Sequence, residues 1–284
     1  MKHKESKDIE RQELNSSPLG GDKRGALNRI NKLLNEKENI LSIYFTAGYP
    51  QLNDTVSILQ TLEEAGVDLV EIGMPFSDPL ADGPTIQDSS LKALENGMSL
   101  KVLFEQLKDV REKVSIPIIL MGYFNTVQKF GVANFLEACE AVGVDGTILP
   151  DLPLKEYSSE YAGVFAEKGV SNIFLITPQT DDERVKFIDS HSTSFIYMVS
   201  SAAVTGAKSD VSDSQVEYFE RVKGLKLKHP AIIGFGISNY KTFQNACQHS
   251  HGAIVGSAFI KLLEEYGNSP EKIKEFINTL RNEQ

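Results

Sequence analysis

Two carboxylates, Glu71 and Asp82, stand out in the sequence as groups that could move or hold protons. Glu71 lies within Leu69-Val-Glu-Ile72, an apolar run that predicts a buried strand, and an unpaired carboxylate is costly to bury. Burial raises the pKa of such a group toward neutrality, where it can act as a general acid or base. Asp82 follows in a proline-rich loop and could accept a hydrogen bond from a substrate N–H. Plainer interpretations are a structural carboxylate with a hydroxyl or backbone donor at Glu71, and an Asp-Gly turn at Asp82.

Three glycine-containing segments predict a phosphate site. They are Val204-Thr-Gly206, Gly234-Phe-Gly-Ile-Ser238 and Gly256-Ser257, and each lies at or after the end of a predicted strand. Glycine lets backbone N–H groups approach an anion, and the N-terminus of the helix that follows Ser257 favours negative charge. Any one segment alone is typical of an ordinary turn. Their recurrence at successive strand ends favours phosphate binding.

Other chemistries are not indicated. The five histidines and two cysteines have no metal-ligand spacing, so no metal site is predicted. No predicted strand contains a lysine that could form a Schiff base, so a carbon–carbon lyase here would work by acid/base chemistry rather than through an imine. The net charge of -10 argues against nucleic acid as a partner. No apolar run reaches the roughly 18 residues of a membrane span, and a cytoplasmic protein is expected.

The candidate site residues must be positioned by the strands and helices that carry them. Eight short apolar runs predict strands. Helix-length segments separate most of them, and the runs are continuous rather than alternating, as in parallel strands that are covered on both faces. The predicted strands are Leu41–Phe45, Leu69–Ile72, Pro117–Met121, Gly146–Leu149, Asn172–Ile176, Phe195–Val199, Ala231–Phe235 and Ala253–Val255.

This alternation predicts an α/β fold, a single-domain (β/α)8 TIM barrel over residues 25–284, behind a mobile extension at 1–24. A helix over Gly25 to Asn35 could plug the barrel bottom. Ser99 could cap an extra helix, Leu100 to Val114, in the second βα unit. A doubly wound open sheet is the rival, but no Gly-x-Gly-x-x-Gly turn follows the first strand.

Two further aspartates follow predicted strands: Asp78 in the proline-rich loop and Asp151 at a strand end. Asp78 could cap the helix that begins near Thr85, or serve a partner surface. Asp151 sits between Pro150 and Pro153, where it could support the site from behind or contact a partner. Both residues would lie on the face of a barrel where catalytic groups gather.

Several runs of residues resemble a known family, the tryptophan synthase alpha chain. The runs that carry the resemblance cover about residues 25 to 267. They are Phe45-Thr-Ala-Gly-Tyr-Pro50, Glu71-Ile-Gly-Met-Pro-Phe-Ser-Asp-Pro-Leu-Ala-Asp-Gly-Pro-Thr-Ile-Gln87, Met121-Gly-Tyr-Phe-Asn125, Pro150-Asp-Leu-Pro153, Val204-Thr-Gly-Ala207, Gly234-Phe-Gly-Ile-Ser238 and Gly256-Ser-Ala258.

The resemblance implies a retro-aldol cleavage of indole-3-glycerol phosphate to indole and glyceraldehyde 3-phosphate, in L-tryptophan biosynthesis. Glu71 matches the carboxylate that shuttles protons and protonates indole C3, and Asp82 matches the one that binds the indole N–H. The phosphate positions would be Gly206, Gly236, Gly256 and Ser257. The pocket around indole would be lined by Tyr44, Met121, Leu175, Tyr197, Thr205 and Phe235.

By resemblance, the chain would bind a tryptophan synthase beta chain in an α2β2 tetramer, with pyridoxal phosphate only in that partner. The loop from Pro75 to Gly83, with Asp78, and the loop after Gly206 would order over the substrate and signal to that partner, and Asp151 could also contact it. Two other functions stay open: a self-sufficient indole-releasing lyase and a non-catalytic subunit that activates the beta chain. Ala203 stands where the family more often has glycine, which could alter closure of the loop after strand six.

Overall fold

Eight parallel strands form one closed sheet in the order β1 to β8, with β8 hydrogen-bonded to β1. The computed structural model describes residues 28–79, 82–199, 212–234 and 236–283. This closed order confirms the (β/α)8 TIM barrel and rules out the open doubly wound sheet. The strands are β1 Ile40–Thr46, β2 Leu69–Gly73, β3 Ile118–Met121, β4 Gly146–Ile148, β5 Ser171–Ile176, β6 Ile196–Val199, β7 Ala231–Gly234 and β8 Gly252–Val255.

Helices surround this sheet, and none in the described ranges is long and apolar enough to cross a membrane. A π-helical turn, Tyr157–Tyr161, joins α7 to α8. The helices are α1 Arg29–Glu36, α2 Thr55–Glu64, α3 Pro84–Glu95, α4 Leu100–Leu107, α5 Phe124–Phe130, α6 Val132–Val142, α7 Leu154–Glu156, α8 Ala162–Glu167, α9 Asp182–His191, α10 Asp213–Gly224, α11 Tyr240–His249, α12 Ser257–Tyr266 and α13 Pro270–Arg281.

The extra helix of the second βα unit is present but shorter than predicted. The Ser99 side chain accepts a hydrogen bond from Val102 N, as expected of a cap, but α4 ends at Leu107. A short 3-10 turn, Val110–Glu112, follows. Within that turn Arg111 bends toward the sheet, and its guanidinium donates to the backbone carbonyl of Gly143, 32 residues away, and to that of Ile116, just before β3. The prediction of one helix reaching residue 114 is therefore wrong, because this tertiary contact overrides helical periodicity.

Helix α1 closes the barrel at the N-terminal ends of the strands, which we call the barrel bottom. Ile30 is fully buried, and a Cβ on Gly146 would lie only 3.0 Å from its Cδ1 atom. Asn28 Nδ2 donates to the Ser171 hydroxyl at 2.9 Å. The predicted plug is confirmed, with its described helix beginning at Arg29 and ending one residue later than expected.

Asp145 ties several elements together at the barrel bottom. One carboxylate oxygen accepts from Arg29 Nη1 at 2.9 Å. The other accepts from Arg111 Nη2 at 2.6 Å and from the backbone N–H of Ile118, which begins β3, at 2.9 Å. Every charge in this cluster is paired, which is the condition under which a buried carboxylate is tolerated.

Asp68 has the same role at the start of β2. It accepts from the backbone N–H of Leu41 in β1 at 2.9 Å. Lys37, just after α1, and Arg281, at the end of α13, both form ion pairs with it. The early and late parts of the described chain therefore meet on one carboxylate at the barrel bottom.

Candidate functional site

Glu71 lies inside the barrel on β2 and is fully buried. It stands opposite Tyr44 of β1 and Ile119 of β3 in the sheet register. The Ser42 hydroxyl donates to Oε1 at 3.1 Å, whereas Oε2 has no hydrogen-bond partner among the described residues. A buried carboxylate with one open oxygen is an arrangement suited to proton transfer.

The proton affinity of Glu71 fits such a role. Burial raises the pKa of Glu71 to about 8, against a smaller lowering by the Ser42 hydroxyl. Because this value lies above neutrality, the side chain carries its proton at pH 7 and can donate it. After donation, the carboxylate can take up a second proton.

Asp82 lies just before α3, where it is half-buried. The Tyr123 hydroxyl donates to Asp82 Oδ2 at 3.3 Å. Burial raises the pKa of Asp82 to about 6, and the Tyr123 hydrogen bond lowers it by less. At pH 7 most of this group is ionised, so Asp82 can accept a hydrogen bond or stabilise a positive charge.

The segment that carries Asp82 is held by α3 and by an aromatic stack. Gln87 Nε2 on α3 donates to the carbonyl oxygens of Asp82 at 2.9 Å and Pro79 at 3.3 Å. Phe76 stacks on Tyr123 with ring centroids 4.9 Å apart. These contacts fix both described sides of the loop around residues 80–81, which lie outside the described residues.

Two tyrosines extend into the barrel mouth near both carboxylates. Burial raises the pKa of Tyr44, and the negative charge of Asp82 adds to the increase. Burial likewise raises the pKa of Tyr197, with Glu71 and Asp82 adding to it. Both hydroxyls therefore stay protonated and can donate or accept hydrogen bonds. The structure thus brings together four polar groups that the sequence assigned to one site.

Glycines on the neighbouring strands make room for these tyrosines. A Cβ on Gly73 would lie 2.1 Å from the Tyr44 hydroxyl oxygen. A Cβ on Gly234 would lie at the same distance from the Tyr197 hydroxyl oxygen. The absence of side chains at these two positions therefore determines where both phenol rings can sit.

Replacing Gly234 by alanine is expected to lower the free energy of unfolding by about 1–3 kcal/mol, because the Tyr197 ring must leave its position. Urea denaturation followed by circular dichroism measures this. Gly163→Ala is the matched control: a Cβ there meets no atom within 4 Å, so this helical site should be neutral or gain up to about 1 kcal/mol. Equal stability of Gly234→Ala and wild type would contradict the packing described here.

The remaining predicted pocket residues are only partly described. Met121 and Leu175 are half-buried near the C-terminal ends of β3 and β5. Leu175 stands opposite Tyr197 in the register, and Met121 stands opposite Gly73. Apolar side chains therefore adjoin the polar groups at the mouth. Thr205 and Phe235, also assigned to the pocket, lie outside the described residues.

The predicted phosphate positions are likewise divided. Gly256 is the N-cap of α12 and Ser257 is its first residue, one position earlier than predicted. A Cβ on Gly256 would lie 3.6 Å from Tyr44, so this helix N-terminus adjoins the same mouth. Gly236 has φ +80, a conformation that glycine adopts without strain. Gly206 lies outside the described residues.

The three residues assigned to a partner surface lie beside the mouth. Pro75 is half-buried, whereas Asp78 and Asp151 are exposed. The capping interpretation of Asp78 is wrong, because α3 begins at Pro84 with Gly83 as its N-cap, and Asp78 accepts from the Ser77 hydroxyl.

Asp151 has a local structural role, in addition to any contact with a partner. One of its carboxylate oxygens accepts from Phe124 N at 2.7 Å, at the start of α5. The side chain therefore ties the loop after β4 to the loop after β3. This contact supports the mouth whether or not a partner covers Asp151.

Sequence reasoning missed three residues of the site: Ser42, Gln87 and Tyr123. Ser42 is a polar residue in an apolar strand, two positions before Tyr44, so strand alternation places both on one face. That signal could have found it. Tyr123 and Gln87 lie in runs that carried the family resemblance, but their contacts to Asp82 depend on loop geometry.

The described ranges contain no group of three or more His, Cys, Asp or Glu residues that could hold a metal ion. His229 contacts Asp189, and His249 contacts Glu220, both away from the mouth. The eight strands contain no lysine. Among the described residues, the site offers carboxyl, phenol, hydroxyl and backbone N–H groups.

Comparison with known proteins gives a consistent result. A family model described as "Tryptophan synthase alpha chain" matches residues 30–284. The tryptophan synthase alpha chain of Flavobacterium johnsoniae is 58% identical over 255 residues, which is 90% of this chain and 100% of that relative.

Solved structures agree. The tryptophan synthase alpha subunit of Legionella pneumophila superposes with a TM-score of 0.80 at 32% identity, covering 90% of this chain and 98% of that one. A chain from a tryptophan synthase complex of Pyrococcus furiosus gives a TM-score of 0.78 at 35% identity, with 86% and 98% covered.

Proposed function

Because the chain belongs to the tryptophan synthase alpha chain family, we propose that Glu71 and Asp82 perform the proton and charge chemistry of that enzyme. The activity is that of a lyase of tryptophan biosynthesis, which cleaves indole-3-glycerol phosphate to indole and glyceraldehyde 3-phosphate. The observation that carries the assignment is a buried carboxyl with one open oxygen and a second carboxyl at the same mouth, where both act on Tyr44 and Tyr197.

The first step is protonation of indole C3. Glu71 holds a proton at neutral pH, because burial raises its pKa to about 8. Transfer of that proton to C3 leaves a positive charge on the ring that is shared with the indole nitrogen. Asp82 accepts the hydrogen bond of this N–H and stabilises the charge as it develops.

The second step breaks the carbon–carbon bond. The Glu71 carboxylate removes the proton of the side-chain hydroxyl, and the oxygen lone pair forms the carbonyl of the aldehyde. The electrons of the broken bond return to the indole ring and neutralise it. One proton enters at C3 and one leaves the hydroxyl, so Glu71 ends the cycle protonated again and no oxidant is required.

The phosphate group of the substrate is assigned to the side of the mouth where α12 begins. The backbone N–H groups that follow Gly256 and Ser257 face an anion favourably, and the helix dipole adds to the attraction. We place Gly236 and Gly206 in the same cradle, and Thr205 and Phe235 in the indole pocket, from the family resemblance.

Partner and cofactor follow from the same family. We propose that the chain binds a beta chain in an α2β2 tetramer, with pyridoxal phosphate confined to that partner, because the retro-aldol step needs only acid and base groups. The complex from Pyrococcus furiosus supports a partner. The exposed Asp78 and Asp151, with Pro75, are assigned to the contact surface. A cytoplasmic location stays a prediction.

A paired assay tests this function: indole release by the chain alone and with a beta chain added. We expect slow release alone and a marked increase with the partner, because ordering the mouth loops over the substrate excludes water and positions the carboxylates. Equal rates in both arms would instead identify a self-sufficient lyase. If neither arm releases indole but the chain accelerates the reaction of the beta chain, the chain would be a non-catalytic activating subunit.

A further inference from the structure

Ser42 is the one side chain among the described residues that donates a hydrogen bond to Glu71. Both side chains are fully buried, so no solvent competes for the bond. Ser42 stands opposite Leu69 in the register, one pleat below the pair of Tyr44 and Glu71. Its hydroxyl therefore approaches the carboxyl from the barrel interior, beneath the mouth.

The two carboxyl oxygens of Glu71 differ in their hydrogen bonding. Oε1 accepts from Ser42 at 3.1 Å, and Oε2 is buried without a partner among the described residues. A glutamate side chain has several rotatable bonds, and its apolar neighbour Ile119 offers no hydrogen bond. The Ser42 contact is therefore what selects the orientation of the carboxyl plane.

We propose that Ser42 is a positioning residue that anchors Oε1 of Glu71, so that Oε2 is the oxygen that exchanges protons with the substrate. The proposal rests on the catalytic role of Glu71 given above. The bond persists through the cycle, since the hydroxyl can donate to Oε1 whether Oε2 carries a proton or not. It strengthens when Glu71 becomes an anion, because a charge-assisted hydrogen bond is stronger than a neutral one.

Other groups also face Glu71 and set the background for this effect. The Tyr44 hydroxyl on β1 and the Tyr197 hydroxyl on β6 are both close enough to Glu71 to feel its charge, and both also feel the charge of the Asp82 carboxylate in the loop after β2. The two phenols are neutral, because burial raises the pKa of each. A Ser42 variant thus changes the direct donor to Glu71 and leaves these groups in place.

The test compares Ser42→Ala with wild type. Loss of the anchor is expected to lower kcat roughly tenfold or more, while binding of glycerol 3-phosphate is unchanged. The kcat/KM profile should fall at higher pH than in wild type, because the hydroxyl no longer stabilises the carboxylate and the proton is held more tightly. Ser42→Thr keeps a hydroxyl and should restore much of the rate.

Thr147→Val is the matched control, since it removes another buried hydroxyl whose partner, Asn172 Oδ1, is not part of the site. It should leave the pH profile unchanged. If Ser42→Ala does not fold, Ser42→Cys, which donates only weakly, is measured in its place.

Measurements in a Glu71→Gln background distinguish failure of the positioning role of Ser42 from failure of the catalytic role of Glu71. There, the added Ser42→Ala change should have no further effect on kcat, since its effect passes through the Glu71 carboxylate. An inactive Glu71→Gln with a wild-type rate and profile in Ser42→Ala would overturn the positioning role alone. An active Glu71→Gln would overturn the proposed catalytic role, and the positioning role with it.

Discussion

Replacing Glu71 by glutamine is expected to lower indole release by roughly 10³-fold or more, because one side chain supplies both the acid and the base of the reaction. Glutamine is nearly isosteric, and its carbonyl oxygen can still accept from Ser42. It carries no transferable proton, so neither protonation of C3 nor deprotonation of the hydroxyl is assisted. Single-turnover indole release, with glycerol 3-phosphate binding measured in parallel, separates lost chemistry from lost binding. Normal turnover in this variant would rule out the role of Glu71.

The same variant should also change how the free energy of unfolding depends on pH. Burial raises the pKa of native Glu71 to about 8 from an ordinary 4.5, so the folded state binds this proton more tightly than the unfolded state. The stabilisation is complete below the unfolded pKa and is lost as pH rises through the folded pKa. Glu71→Gln has no such titration. Its free energy of unfolding relative to that of wild type should therefore rise by on the order of 3 kcal/mol between about pH 5 and pH 8. Urea denaturation at both pH values measures the difference.

Replacing Asp82 by asparagine is expected to lower kcat by roughly 10²-fold or more, because the developing positive charge on the indole ring loses its counter-charge. Asparagine can still accept a hydrogen bond from Tyr123 or from the indole N–H, so substrate binding should suffer less than turnover. Comparison of kcat with the dissociation constant of the substrate, in isolated chain and in complex, gives the measurement.

The pH dependence gives Asp82 a second check. Burial raises the pKa of Asp82 to about 6, so its ionised fraction, and with it the rate, should fall as pH decreases through that value. This acidic limb should disappear in Asp82→Asn. The exposed Asp88 on α3 provides the matched control, since Asp88→Asn removes the same charge at the surface. An acidic limb that persists in Asp82→Asn, or an equal loss of rate in both variants, would contradict the assignment.

The barrel could be predicted from the sequence because its strands are continuous apolar runs, most of them separated by helix-length segments. Glu71 interrupts such a run, so its burial followed directly from the pattern, and the structure confirms it. The end of α4 could not be predicted in this way. The helical pattern of the sequence continues to residue 114, but Arg111 turns toward Gly143, which is 32 residues away, and no local pattern carries that information.

The partners of the carboxylates were harder to predict for the same reason. Tyr123 reaches Asp82 across 41 positions, and Ser42 reaches Glu71 across 29. Such contacts follow from strand register and loop geometry, which emerge only when the sheet closes. The assignments of Thr205, Gly206 and Phe235, which lie outside the described residues, stay predictions.

The ion pair between Asp68 and Arg281 has a consequence for the order of folding. Its two residues are 213 positions apart, so forming the contact closes a loop that contains most of the barrel. Loop-closure entropy opposes so distant a contact early on. We therefore expect it to be absent from the folding transition state. An ion pair that forms after the transition state lowers the unfolding rate and has little effect on the folding rate.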